Sequence, residues 1–300
     1  MNLDFDLQSH SVHSDGELAA GEVVAAAAAA GVRVLSLTDH DTVDGVAEAL
    51  TAGREHGVGI VTGVEISALD LGPDGVVASN PRDLHILGYG FDHEDAAFAV
   101  ALERFRADRG QRADRMVQGL RNCGFQLDVS ELERRRVTAQ PIGRPHLAAA
   151  VFGHPANAAR LRDEGLHNPS DVLVRYLLPG APAFRHRSIP TVGDAIAAIH
   201  RAGGLAVWAH PFWDVDDPND VVATLERFTR EHALDGVEAF YISFDREQTV
   251  LLTGAAARLG LLTTGSADFH GAGHDRFNSF GAFETYGVAP DVERVLALAK

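Results

Sequence analysis

The sequence predicts an α/β barrel interrupted by a helical insertion, and three observations carry that reading. Short apolar runs with β character alternate with helical stretches over residues 5–90, the same alternation resumes after residue 190, and the segment between becomes long-helical and Arg-rich. Alternating strands and helices are the mark of βαβ units and a largely parallel sheet.

Taken in order, residues 5–8 form the first predicted strand and the alanine-rich residues 19–30 the first helix, which suits the outer layer of a barrel. Residues 32–38 and 43–56 repeat the pair, and residues 59–66 and 84–89 supply two further apolar runs. Residues 96–122 then read as one long helix. Shorter helical pieces follow it, broken by Gly124, Pro141, Pro145, Pro155, Pro169 and Pro179. Beyond residue 190 the rhythm returns: helix 192–202, strand 205–209, helix 221–231, strand 236–240, helix 247–259 and strand 261–265. The expected division is a barrel of residues 1–95 and 189–300, with residues 96–188 as a helical, Arg-rich insertion capping the substrate.

Composition narrows the class. The chain of 300 residues, 46% of them hydrophobic, can bury a sizeable core as one barrel or two ordinary domains. No apolar run approaches the roughly 18 residues a membrane span needs. The first ten residues lack the basic stretch and apolar centre of a secretory signal, and the single cysteine, Cys123, has no partner for an internal disulfide. A cytoplasmic location without membrane contact is the expectation. The formal net charge of −16 argues against a duplex DNA partner, which demands a basic footprint. Residues 96–188 nevertheless hold 15 Arg against 9 acidic groups, while the rest of the chain holds 11 basic and 33 acidic groups. An Arg-rich middle is embedded in a carboxylate-rich frame, and a segment of that length favours a functional division over unequal helix faces.

The chemistry-bearing residues fall where predicted strands end. Gln8 and His10 close the first strand, with Asp15 just beyond; Thr38, Asp39, His40 and Asp41 close the second; Glu65 ends the third. His85 lies in the fourth, His210 ends the strand at 205–209, and Asp268 and His270 follow the strand at 261–265. In a parallel barrel the C-terminal strand ends converge on one face, where such enzymes build their sites. One histidine after a strand is more often structural, but burying this whole set together without partners would be very costly. Divalent cations resolve the cost by neutralising the carboxylates and accepting imidazole nitrogens. A mixed N/O set suits Mn, Zn or Fe, with Mg also possible, and no cysteine pair is available for a thiolate site.

Five motifs carry a resemblance: Asp6-Leu7-Gln8-Ser9-His10-Ser11 with Ser14-Asp15-Gly16, then Thr38-Asp39-His40-Asp41, Gly63-Val64-Glu65, Ala209-His210-Pro211, and Ser266-Ala267-Asp268-Phe269-His270. In this order they resemble the PHP (polymerase and histidinol phosphatase) family, and they cover both halves of the chain. The resemblance implies a distorted (β/α)7 barrel and two or three divalent metal ions. It implies one ion held by His10, Glu65 and Asp268 with whatever Gln8 supplies, a second by Glu65, His85 and His210, and a third by Asp15, His40 and His270. Asp15, His40, Glu65 and His270 would carry the catalysis. The family usually has His where this chain has Gln8; an amide oxygen is the weaker and harder ligand, so the first site is expected to be looser, to favour Mn or Fe over Zn, or to stay partly empty. Within the family, Ile142-Gly143-Arg144-Pro145-His146 and Arg175-Tyr176-Leu177 look like the branch that removes the 3′-phosphate from nucleoside 3′,5′-bisphosphates or trims short 5′-phosphorylated RNA.

The function expected from these readings is phosphoester hydrolysis by metal-activated water on a small anionic nucleotide or short RNA. Arg144 and His146 are expected to hold the substrate's 5′-phosphate, and His274, in the loop after His270, to reach substrate as well. His186, at the end of the insertion, is a weaker candidate. Asp39, Asp41 and Glu238 stand where they could orient metal-bound imidazoles. Alternatives are a histidinol-phosphate-type phosphatase, a metal-dependent amidohydrolase, which the Arg-rich insertion disfavours, and a non-catalytic metal-dependent binding module.

Overall fold

The computed structural model describes residues 4–72, 81–138 and 142–300; the break expected at Pro141 lies outside them. The elements run β1 (Phe5–Asp6), α1 (Ala20–Ala29), β2 (Val34–Leu37), α2 (Val46–His56), β3 (Gly59–Asp70), β4 (Arg82–Tyr89), α3 (Ala96–Asn122), α4 (Ser130–Val137), α5 (Arg144–Phe152), α6 (Ala158–Asp163) and α7 (Pro169–Tyr176). They continue with α8 (Val192–Arg201), β5 (Leu205–Trp208), α9 (Pro211–Asp214), α10 (Pro218–His232), β6 (Gly236–Tyr241), α11 (Arg246–Leu259), β7 (Leu262–Ser266) and α12 (Glu293–Leu296).

Seven strands form one sheet in chain order, β1 to β7. Beyond the short β1 the chain stays extended, so the Leu7 N–H donates to Gly265 O at 3.2 Å and Ser9 bridges Phe269 in parallel. These links bring the last strand back to the first and make the sheet a nearly closed, distorted (β/α)7 barrel. Local signals place the helices around it. Gly57 and Gly260 end α2 and α11 in the left-handed region at φ 69° and 70°, which only glycine adopts without strain. Thr191 and Asp194 cap the start of α8 reciprocally, as Asp245 and Gln248 cap α11. On one side α1 and α2 bury Val23, Val24, Ala49 and Ala52 against Leu35 and Ile60.

The largely parallel expectation fails at one strand. β4 runs antiparallel to both β3 and β5, while the other paired neighbours are parallel. An apolar strand sequence carries no direction, and β3 reaches Asp70 rather than stopping at residue 66. Glu65 therefore sits inside β3, paired with Leu87, and does not end the strand. His85 enters from the N-terminal half of β4, opposite Ser67, because reversal puts that half beside the C-terminal ends of the parallel strands.

The chain forms two compact units, Met1–Glu103 with Ile189–Lys300, and Arg104–Ser188. The second has its own apolar core, in which Phe125, Leu132, Leu147, Val151, Val172 and Tyr176 are buried. Arg160 stacks over the Phe125 ring at 4.0 Å and pairs with Glu164 at 2.6 Å, and Glu164 accepts from the Tyr176 hydroxyl. No helix among the described residues is long and apolar enough to cross a membrane.

Candidate metal centre

The first strand's extension delivers Gln8 and His10, both fully buried. The chain then turns back, with Ser14 N–H and Gly16 N–H donating to Ser11 O at 3.0 and 2.9 Å. A Cβ on Gly16 would stand 2.2 Å from the His10 carbonyl oxygen, so only glycine lets this turn close. The turn carries Asp15 back over His10, to 3.6 Å from its Nδ1. Asp39 fixes the arrangement: it accepts from Ser11 N–H, Ser11 Oγ and Ser14 Oγ at 2.7 to 2.8 Å, and Ser14 Oγ in turn contacts His10 Nδ1 at 3.2 Å. Asp39 thus orients an imidazole through a serine.

Glu65 is the hub. Its Oε1 lies 2.6 Å from His85 Nδ1 and 3.0 Å from His210 Nε2; its Oε2 lies 3.1 Å from His10 Nε2 and 3.4 Å from His40 Nδ1. Asp268 Oδ1 approaches the same His10 Nε2 at 3.1 Å. Asp15 stands 3.6 Å from both His40 Nε2 and His270 Nε2. Three overlapping groups could each hold a metal ion: His10, His40 and Glu65; His10, Asp15 and His270; and Glu65, His85 and His210. Gln8 lies beside them, its Nε2 donating to Glu65 Oε2 at 3.1 Å and its Oε1 facing Ser266 Oγ at 3.4 Å.

The donor chemistry fits divalent cations. His10 Nε2, His40 Nδ1, His85 Nδ1 and Asp268 Oδ1 are buried and meet one another or Glu65 at ion-pair distances without settled hydrogen-bond geometry, and His210 Nδ1 is buried with no hydrogen-bond partner. Orphaned buried polar atoms each cost on the order of 1–3 kcal/mol, and a cation accepting their lone pairs removes the cost. The protonation pattern says the same. Burial works to lower the His10 pKa, but Asp268 and Glu65 hold it well above the usual range. Burial likewise works to raise the Glu65 pKa, yet His40, His85, His10 and His210 keep it well below the ordinary carboxylate range. His210 is pushed up to about 10 by Glu65 in spite of its burial, whereas burial lowers His40 to about 4. The carboxylates are arranged for a positive charge among them.

Backbone strain concentrates here too. Asp41, His210 and Asp268 are non-glycine residues at positive φ, 56°, 28° and 54°. Each such conformation costs on the order of 1–3 kcal/mol and persists where surrounding structure over-determines it, which is typical of functional sites. Glu238 holds the His210 backbone by accepting its N–H at 2.9 Å and takes a 2.6 Å bond from Ser266 Oγ; burial raises its pKa to about 8. Asp41 braces β3 by accepting the Ser67 N–H at 2.9 Å. Glu238 and Asp41 thus hold the backbone at His210 and in β3.

Other expected residues are placed as follows. His274 lies beside the centre, its ring 5.3 Å from that of His270, with Nδ1 accepting the Arg276 and Phe277 N–H groups of its own loop. Arg144 opens α5 in the second unit, and His146 Nδ1 accepts the Gly143 N–H at 2.9 Å, closing that helix start. His186 packs edge-on against Phe184. Sequence reasoning missed Tyr241, whose hydroxyl donates to Asp268 Oδ2 at 2.7 Å, and the half-buried Asp214, one of whose carboxylate oxygens is enclosed and whose pKa desolvation raises to about 6. A tyrosine ending a strand on the site face was the available signal for the first; nothing distinguished Asp214.

A model of the PHP domain matches residues 6–105. The 3′,5′-nucleoside bisphosphate phosphatase of Chromobacterium violaceum is 30% identical over 280 residues, covering 89% of this chain and 87% of that protein. The chain belongs to the PHP family. The phosphoribosyl 1,2-cyclic phosphate 1,2-diphosphodiesterase of Eggerthella lenta is also similar, 31% identical over 271 residues, covering 89% of this chain and 94% of its own. Among solved structures, an amidohydrolase from Chromobacterium violaceum with bound sulfate superposes with a TM-score of 0.78 at 29% identity, over 99% of this chain and 97% of that one. Together with the ligand groups, membership of the PHP family makes the protein a metal-dependent phosphoesterase.

Proposed function

We propose that the protein hydrolyses a phosphate ester on a pentose that carries a second phosphate, and that its substrate is a nucleoside 3′,5′-bisphosphate losing the 3′-phosphate. The observation that carries this reading is the overlap of three ligand groups on His10 and Glu65, which gathers enough cationic capacity at one point for a phosphoryl group. The two relatives support the substrate class, since both their names specify a phosphorylated ribose or nucleoside with a further phosphate ester.

In this reading Gln8, His10, Asp15, His40, Glu65, His85, His210, Asp268 and His270 hold the ions, with Gln8 the weakest. Bound divalent ions supply Lewis acidity to the phosphoryl oxygens and lower the pKa of water towards about 7. The chain's own residues set the direction of approach. His10, Glu65 and Asp268 form the buried floor, whereas Asp15 is 40% and His85 27% exposed and form the rim. Asp15, with His40 and His270 each 3.6 Å from it, is proposed to face the incoming phosphate, while Glu65 gathers four imidazoles, His40 among them.

The second phosphate needs its own cation, because the barrel's excess charge is acidic. Arg144, with His146 beside it, is proposed to hold that phosphate, because arginine's planar fork suits two phosphate contacts. A second reading, favoured by the Eggerthella lenta relative, is opening of a cyclic phosphodiester on phosphoribose. Phosphorus NMR of adenosine 3′,5′-bisphosphate and, in a parallel sample, of a phosphoribosyl 1,2-cyclic phosphate, each incubated with the metal-loaded protein, separates the two. The expected products are adenosine 5′-monophosphate and inorganic phosphate; release of the 5′-phosphate, or turnover of the cyclic diester alone, would overturn the first reading.

A further inference from the structure

An aromatic shelf adjoins the metal centre without taking part in it. Trp213 lies three residues after His210, on the short helix α9, and is 48% exposed, whereas the chain's other tryptophan, Trp208, is fully buried. About half of this large apolar ring is left open to water beside a charged centre. Its position is nevertheless fixed. The indole N–H donates to Ser243 Oγ at 3.0 Å, the ring meets Tyr241 edge-on at 6.3 Å, and Phe277 packs at 5.8 Å. The Arg276 guanidinium, on an exposed loop residue, covers it at 5.4 Å. Next to this ring is a pocket of about 320 Å³ lined by Phe212, Trp213, Ser243, Phe244, Gln248 and Arg276.

We infer that Trp213 and this pocket receive the nucleobase of the substrate, the base taking the place of the Arg276 guanidinium on the indole and Arg276 moving onto the other face of the base. The inference rests on the nucleotide reading above and deepens it. Trp213 and His210 stand ring to ring at 6.4 Å, so a ligand held at the metal centre by its phosphate has the indole about one sugar away. Every base has a π-face, and stacking on a rigid aromatic with an arginine partner is tolerant of base identity. The pocket therefore selects for a base over none, and for the larger purines over pyrimidines, rather than reading one base by its edge.

The test compares adenosine 3′,5′-bisphosphate with ribose 3,5-bisphosphate, which lacks the base, in the metal-loaded enzyme. Wild-type protein is expected to prefer the nucleotide in kcat/KM. Trp213→Ala is expected to lower the nucleotide-to-abasic ratio by about 5- to 150-fold, the range of alanine-scanned base stacking, and Trp213→Phe to restore most of it. Equal kcat/KM for the two substrates in the wild type, or an unchanged ratio in Trp213→Ala, overturns the base pocket while leaving the phosphatase reading intact. Absence of phosphate release from both overturns the phosphatase reading instead. Intrinsic fluorescence then decides the pocket on its own: adenosine 5′-monophosphate is expected to quench the Trp213 emission saturably in the wild type and to leave the emission of Trp213→Phe, from buried Trp208, unchanged. No saturable quenching in the wild type overturns the pocket.

Discussion

The side-chain amide of Gln8 donates to Glu65 Oε2 at 3.1 Å, at the point where the PHP motif usually supplies an imidazole. The amide presents a donor to the hub carboxylate and its oxygen to Ser266, so holding a cation through Gln8 requires the amide oxygen to turn inward, which makes Gln8 the weakest ligand of the set. Gln8→His is expected to raise the metal content of purified protein or shift it towards Zn, read by elemental analysis. Unchanged content and affinity would contradict the account of this position.

Glu65 contacts four imidazoles and belongs to two of the three ligand groups. Among single alanine substitutions of the ligand set, Glu65→Ala is expected to cause the greatest loss of bound metal, because one carboxylate balances charge for two ions. Elemental analysis showing a greater loss in His85→Ala or His270→Ala would contradict the hub role.

Asp15 is 40% exposed, and His40 and His270 each stand 3.6 Å from it, apart from the apolar core. Their alanine variants are expected to stay folded by circular dichroism and to lose most turnover with metal supplied. Near-normal turnover in all three would remove them from the chemistry.

Arg144→Ala is expected to reduce kcat/KM for nucleoside 3′,5′-bisphosphates by about 10- to 150-fold, the equivalent of one charged hydrogen bond. The loss should largely vanish with nucleoside 3′-monophosphates. Equal losses on both substrates would contradict a role at the second phosphate.

Away from the centre, Asp70 is held by Arg227, whose Nη2 reaches both oxygens at 2.8 Å, and by Arg82 at 2.8 Å. Burial works to raise its pKa, but the Gly72 N–H and the two guanidinium groups hold it below the ordinary 3.8. A carboxyl depressed in the folded state adds stability above its unfolded pKa and loses it as pH falls through the folded value. Asp70→Ala is thus expected to cost about 3–5 kcal/mol near neutral pH by stranding Arg227, with the gap to wild type narrowing below about pH 4. Parallel denaturation curves at pH 7 and pH 3 with an equal gap would contradict this.

Much of this was legible in the sequence for physical reasons. The limits of α3 follow from its uninterrupted helical run, and the strand–helix rhythm gave the seven strands because each must bury an apolar face. His10, His40, His210, Asp268 and His270 stood out by clustering at strand ends. What stayed hidden depended on long-range pairing. The direction of β4 is set by hydrogen bonding to β3 and β5, and the mid-strand place of Glu65 follows from how far β3 extends alongside it. Tyr241 and Trp213 read as ordinary apolar residues until their neighbours were known.

The central claim is that these carboxylates and imidazoles act through metal on a phosphate ester. Phosphate release from adenosine 3′,5′-bisphosphate, measured on chelator-stripped protein as Mn is added back, tests it most directly. The account predicts no release from stripped protein and recovery that saturates at two to three ions per chain; release that persists without metal, or none at any metal concentration, would contradict it.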